Sequence, residues 1–190
     1  MPKLKIGVAG LGHGETLIGA NYTNLPLEIS SVCDVNEDLV ESTLKKHKIP
    51  KGVSHFDELV SDPDVDIVGI YTPGPLHFKQ ILKALDNDKH VMVTKSMVYT
   101  LNEAEEVIKA VEKSGKVLLV TQTMRARLDF MEAKRVCEDG TIGKLFMAEA
   151  HYVHDLRPVY ARSPWRIDMP QDLLLGGACH PIDLLRWFMG

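Results

Sequence analysis

The sequence predicts an α/β protein: a parallel-sheet domain over residues 1–124, followed by the beginning of an α+β domain over residues 125–190. Three observations carry this. From Lys3 to about Lys116, short β-rich runs alternate with longer stretches of helical spacing, which is the rhythm of a parallel sheet joined by helical crossovers. The first run, Lys5 to Ala9, is apolar and stops at a glycine cluster, Gly10-Leu11-Gly12-His13-Gly14. Beyond about Met124 the rhythm changes, so a domain boundary is placed there.

Taken in order, the first strand leads through the glycines into a helix expected around Thr16 to Thr23, and Ile29 to Cys33 reads as the second strand, ended by Asp34. Asn36 caps a helix through Lys46 whose Leu39, Val40, Thr43 and Leu44 share one face. Phe56 to Val60 reads as a short helix. Asp66 to Tyr71 is a buried strand stopped by Thr72-Pro73-Gly74-Pro75, because proline cannot continue the ladder. Phe78, Ile81, Leu82 and Leu85 follow the spacing of a helix lying on a sheet, and His90 to Val93 is the next strand. Thr100 and Glu103 form a capping-box pattern for a helix that Gly115 closes, and Val117 to Val120 is expected as another buried strand. A helix from about Asp129 to Glu138 follows. Lys144 to His154 alternates like a strand of an antiparallel sheet. Arg157 to Gln171, rich in arginine and proline, reads as an irregular connection, and His180-Pro181 opens a helix expected over Ile182 to Met189. One strand and one helix make no complete layer, so the second domain is expected to pair with a partner, as in a homo-oligomer, or to continue in further chain.

The composition narrows the function. A length of 190 residues with 45% apolar and 25% charged residues describes a globular chain, and a net charge of −4 removes the electrostatic case for nucleic acid or an anionic membrane surface. A small-molecule ligand is expected instead. No run is long enough to span a bilayer, and the three cysteines, Cys33, Cys137 and Cys179, suggest neither a disulfide framework nor a zinc cluster. A cytoplasmic setting and no metal site are expected.

The chemistry starts at the glycine turn. A buried strand entering such a turn, with a helix behind it, aims backbone N–H groups and a helix N-terminus at a pyrophosphate. Gly10, Gly12, His13 and Gly14 are therefore candidate cofactor-binding residues. Asp34 lies 24 residues after Gly10, at the end of the second strand, where a carboxylate accepts both hydrogens of an adenosine ribose diol. It would repel a 2′-phosphate, and Val35-Asn36-Glu37-Asp38 offers no arginine to hold one, so NAD is favoured over NADP. The domain is accordingly expected to be Rossmann-like. Lys95 falls at the carboxyl end of a parallel strand, where ligands of open α/β sheets bind; a solvated loop lysine is the competing reading.

The whole pattern resembles the Gfo/Idh/MocA family of oxidoreductases, over nearly all of the chain. The resemblance is carried by Gly10-Leu11-Gly12, Val32-Cys33-Asp34-Val35-Asn36, Asp66-Ile67-Val68 with Thr72-Pro73 and His77, Lys89-His90-Val91, Lys95, Arg127, Gly140-Thr141-Ile142-Gly143-Lys144, Trp165-Arg166 and His180 through Trp187. It implies hydride transfer between NAD or NADP and a hydroxyl-bearing carbon of a sugar or polyol. It also implies that Lys95 touches the substrate hydroxyl and the nicotinamide ribose, that His180 accepts the proton, and that Thr72, Pro73 and His77 lie near that ribose. For His77 a plain helix-start role stands beside this, and Asp183 either orients the His180 imidazole or is an acid favoured in a first helical turn. Tyr152, Arg157, Tyr160, Trp165 and Arg166 either line a sugar pocket or serve in surface packing.

Several positions depart from the family pattern. Glu15 stands where the third fingerprint glycine is usual, and a carboxylate there would be unwelcome beside a pyrophosphate unless it points away. Asp88 replaces a common glycine, Thr94-Lys95-Ser96 replaces Glu-Lys-Pro, and Gly176 replaces an aspartate four residues before the histidine, Asp172 being farther off. These departures support a competing expectation, a catalytically degenerate NAD-binding or regulatory protein of the same fold.

Overall fold

A computed structural model describes residues 2–163, 165–169 and 173–190. The chain divides into two compact units, residues 1–120 and 121–190. The first alternates strand and helix: β1 (Leu4–Ala9), α1 (Leu11–Ile18), β2 (Leu27–Cys33), α2 (Glu37–His47), β3 (Lys51–Val53), α3 (Phe56–Val60), β4 (Ile67–Ile70), α4 (His77–Asp86), β5 (His90–Val93), α5 (Leu101–Ser114) and β6 (Leu118–Val120). The six strands form one sheet in the order β3-β2-β1-β4-β5-β6, with every pairing parallel. The order reverses between β1 and β4, so a crevice opens where their loops diverge, at the carboxyl edge of the sheet.

Period-two burial builds two cores. Ile6, Val8, Ile29 and Val32 pack with Leu11 and Ile18 of α1 and Val40 of α2. Ala9, Cys33, Val68, Ile70, Val91 and Val93 pack with Leu59 of α3, Ile81 and Leu85 of α4 and Val107 of α5. Strands covered on both faces must be apolar almost throughout, which is why these runs read as continuous hydrophobic segments. Asn36 Oδ1 caps α2 by accepting from Leu39 N, and the Thr100–Glu103 capping box forms, with Gly115 closing α5 at φ 65°. Asp88 adopts φ 63°, a left-handed conformation that aspartate tolerates better than most residues.

Three expectations for this unit change. The first helix begins at Leu11, directly after Gly10, rather than at Thr16, so Gly12 and Gly14 are helical. Packing against the sheet overrides their poor helix propensity. Strand β3 went unread because it is three residues long and includes Lys51 and Gly52; β2 recruits it as an edge. The last strand, expected to be buried, is the opposite edge, and Leu119 is half exposed.

The second unit contains α6 (Leu128–Glu138), α7 (Arg157–Arg162), α8 (Trp165–Asp168), a wide helical turn at Leu174–Ala178, and α9 (Cys179–Met189). Residues 144–154 form no strand, contrary to the alternation of their sequence. An extended segment becomes a strand only when a neighbour takes its backbone N–H and C=O groups, and no strand among the described residues of this unit lies beside it. The connection expected to be irregular at Arg157 to Gln171 folds in part into α7 and α8. Pro158 fits the first turn of α7, where its missing N–H costs nothing. Gln171 lies outside the described residues. Helix α9 begins at Cys179 rather than Ile182, and Gly176-Gly177 continue into it as a helical turn instead of breaking the chain.

Candidate active site

In the first unit, register levels the carboxyl edge. Ala9 pairs with Cys33 on one side and Ile70 on the other, and Ile70 pairs with Val93. Gly10 and Asp34, one residue on, and Thr72 and Lys95, two residues on, therefore leave the sheet side by side. Gly10 has φ 87°, and a Cβ there would stand 2.6 Å from the Tyr71 carbonyl carbon and 2.7 Å from Thr72 N. Any side chain would be both strained and in collision with the backbone entering the β4 loop. Gly14 backs onto the sheet, where a Cβ would come within 2.8 Å of Val8 Cγ1 and 3.2 Å of Tyr71 Cβ. It thus lets α1 lie close on β1, the task usual for the third fingerprint glycine. At Gly12 nothing beyond its chain neighbours and its own helix backbone lies within 4 Å of where a Cβ would stand, so the space over the start of α1 is open. An open helix N-terminus fits a dinucleotide's pyrophosphate.

Glu15 takes no part in that opening. Its Oε1 accepts from Lys46 Nζ at 2.6 Å and lies 2.9 Å from His47 Nε2, while His47 Nδ1 is 2.9 Å from the Tyr22 hydroxyl. Hydrogen bonds from His47 and Lys46 hold the carboxyl below the usual glutamate range. The charge that looked unwelcome is turned away and neutralised.

Asp34 Oδ2 accepts from Leu11 N at 2.7 Å and Oδ1 from Asn36 N at 3.0 Å. The half-buried carboxylate is thereby aimed at the turn. Four lone-pair directions less two leave capacity for a diol. Thr72 Oγ1 donates to Gln80 Oε1 at 2.5 Å, a partner that sequence spacing did not suggest. His77 is buried, with Nδ1 2.6 Å from the Ser96 carbonyl and Nε2 2.9 Å from the Thr72 carbonyl. Burial and, less strongly, the Lys95 charge lower its pKa, while the two carbonyls pull it upward. A neutral ring donates through one nitrogen only. Lys95 is half-buried, and the peptide bond joining it to Ser96 is cis. Burial pushes the Cys33 thiol up to about 12, which leaves it no thiolate character near neutrality.

In the second unit, His180 is buried in the first turn of α9, its ring 5.4 Å from that of Tyr152, which is in turn 4.9 Å from His154. Asp183 accepts two bonds from Arg125, at 2.7 Å from Nε and 2.6 Å from Nη2, and Arg125 lies 5.6 Å over Trp187. No sequence spacing announced Arg125, 58 residues away. Phe130, Tyr152, His180, Leu184 and Phe188 help line a groove of about 390 Å³. Of the other aromatic and arginine candidates, Arg157 pairs with Asp155 and Arg166 lies 4.4 Å over Trp165. Asp172 lies outside the described residues.

Residues 4–122 match the family model described as an oxidoreductase family with an NAD-binding Rossmann fold, and residues 130–190 match the Gfo/Idh/MocA C-terminal domain. The chain belongs to the Gfo/Idh/MocA oxidoreductase family. Within this family it is 28% identical, over 196 residues, to the inositol 2-dehydrogenase of Salmonella typhimurium, an alignment covering 98% of this chain and 54% of that protein. It is 28% identical over 165 residues to the 1,5-anhydro-D-fructose reductase of Ensifer adhaerens, covering 85% and 49%. Among solved structures, scyllo-inositol dehydrogenase from Lactobacillus casei with bound NAD(H) and scyllo-inositol superposes with a TM-score of 0.87 at 22% identity, covering 99% of this chain and 56% of that one. That likeness concerns the fold. The chain spans about half the length of these Gfo/Idh/MocA relatives. Among its described residues no helix is long and apolar enough to cross a membrane.

Proposed function

We propose that this chain supplies the cofactor half, residues 1–124, and the start of the substrate half, residues 125–190, of an NAD-dependent dehydrogenase or reductase acting on a CH–OH group of a polyol or sugar. The observation that carries the reading is the level rim at the sheet reversal, where the Gly10 turn, Asp34, the Thr72-Pro73 loop and Lys95 emerge together. An inositol-like polyol is the favoured substrate class, supported by the relatives' activities. A cytoplasmic homo-oligomer is part of the same reading.

Bound NAD would supply a hydride acceptor. The open N-terminus of α1 would face the pyrophosphate, and the spare lone pairs of Asp34 would take the adenosine ribose diol, which disfavours a 2′-phosphate. The Lys95 ammonium would hold the reacting hydroxyl and steady the alkoxide as charge develops. His180 would accept the hydroxyl proton, a task suited to a group that titrates near neutrality. Asp183, tied to Arg125, would hold the start of α9 and with it His180.

The test is NAD reduction on a panel of inositols and other polyols, with Lys95→Ala beside the parent. Turnover that falls roughly 100-fold or more in Lys95→Ala supports the reading, a loss on the scale of removing one electrostatic stabiliser. NADH binding with no Lys95-dependent turnover assigns the chain to the non-catalytic alternative. NADH should bind more tightly than NADPH, and Asp34→Ala should narrow that gap; equal affinities in the parent would refute the role given to Asp34.

A further inference from the structure

His77 is 1% exposed, so its ring sits beneath the rim rather than on it. The two carbonyls it meets belong to different loops: Thr72 follows β4, and Ser96 adjoins Lys95 in the loop after β5. Strands β4 and β5 are tied at their ends by Thr94 N donating to the Ile70 carbonyl at 3.1 Å. Past that bond the imidazole spans the two loops. An imidazole is rigid, so contacts of 2.6 and 2.9 Å at its opposite nitrogens fix the spacing of the two carbonyls far more tightly than a flexible side chain would.

We propose that His77 is a positioning residue: by holding the Thr72 and Ser96 carbonyls at the two ends of one ring, it sets where the Lys95 ammonium stands on the carboxyl rim. Its contribution to turnover passes through Lys95 and not through contact with cofactor or substrate. The catalytic consequence rests on the dehydrogenase reading above, but the geometric claim does not. One hydrogen bond from the ring, with its other nitrogen held against the second carbonyl, suits the task, since a displacement of about 1 Å in a reacting group costs up to 100-fold in rate.

The experiment uses the full chain with its lysines 13C-dimethylated, the Lys95 resonance being assigned by Lys95→Arg. The parent should show a dispersed Lys95 signal. His77→Leu should move it toward the position of an unstructured lysine, and His77→Gln, which keeps one donor, should recover part of the displacement. In parallel, His77→Leu should lower kcat roughly ten- to a hundred-fold, with NADH affinity changed less than about three-fold, and should add nothing in a Lys95→Ala background. Circular dichroism checks each fold, and His77→Gln alone carries the test should His77→Leu not fold. A Lys95 signal unmoved in the folded variants overturns the proposal, as does a His77 effect on kcat that persists in full without Lys95. A parent that reduces no NAD yet shows the His77-dependent Lys95 signal supports the clamp and removes only the dehydrogenase reading.

Discussion

The two units handle apolar sequence differently. In residues 1–120 the apolar runs disappear into two cores on opposite faces of one sheet, whereas in residues 121–190 Leu184, 9% exposed, is the one described apolar side chain that is buried. Phe146 and Val153, on the extended segment 144–154, are 95% and 90% exposed. Both units contain sequence patterned for secondary structure. What separates them is whether a neighbour completes the pattern: each strand of the first unit has its backbone partner, and the alternating segment of the second has none among the described residues. Periodicity is an offer of a surface, and burial needs a second surface to accept it.

The comparison can be broken most directly in the cores. Ile70→Ala should cost about 3–4 kcal/mol in urea unfolding, the usual price of a buried aliphatic deletion, while Phe146→Ala should stay within about 0.5 kcal/mol. Similar losses at both positions would mean that the two units do not differ in this way. Next, Gly10→Ala should cost about 3 kcal/mol from its positive φ and the collision with Tyr71 and Thr72, and should abolish NADH binding as measured by fluorescence titration. Thr100→Ala, which removes the capping box of α5, should cost about 1 kcal/mol by thermal unfolding. In the second unit, where charge pairs stand in for burial, Arg125→Gln should cost about 0.5–1 kcal/mol, and the loss should shrink in high salt.

A pH series sharpens the same contrast. Burial first, then the Lys95 charge, holds the folded-state pKa of His77 below its ordinary 6.5. As pH falls, the unfolded chain therefore takes up its proton before the folded one. The stability tied to His77 is whole above about pH 6.5 and drains below it. Urea midpoints should slope downward there in the parent, and less so in His77→Gln; equal slopes would contradict the assignment.

Legibility followed distance along the chain. The capping box of α5, the Asn36 cap and the apolar face of α4 depend on residues three or four apart, and all were readable. Gly10, Asp34, Thr72 and Lys95 were readable as candidates because each lies within two residues of a strand end, and strand ends can be found from local pattern. The Asp183–Arg125 pair, the His77–Ser96 contact and the bonds from Lys46 and His47 to Glu15 join residues 19 to 58 positions apart, and no local signal announces them. The strand expected at 144–154 failed for the converse reason, since its local signal was present and its partner was not.

What the sequence determined by itself was the order and type of the elements in the first unit other than β3, the glycine turn at its head and the residue types at the strand ends. All of these depend on local sterics, capping and two- or three-residue periodicity. Tertiary structure alone decided that Gly14 rather than the residue after it lets α1 pack on β1, that Glu15 faces Lys46 and His47 instead of the cradle, and that His77 lies buried between two carbonyls. These outcomes depend on which strands become neighbours. Parallel strands meet only through crossovers of many residues, so no local stretch of sequence contains both partners.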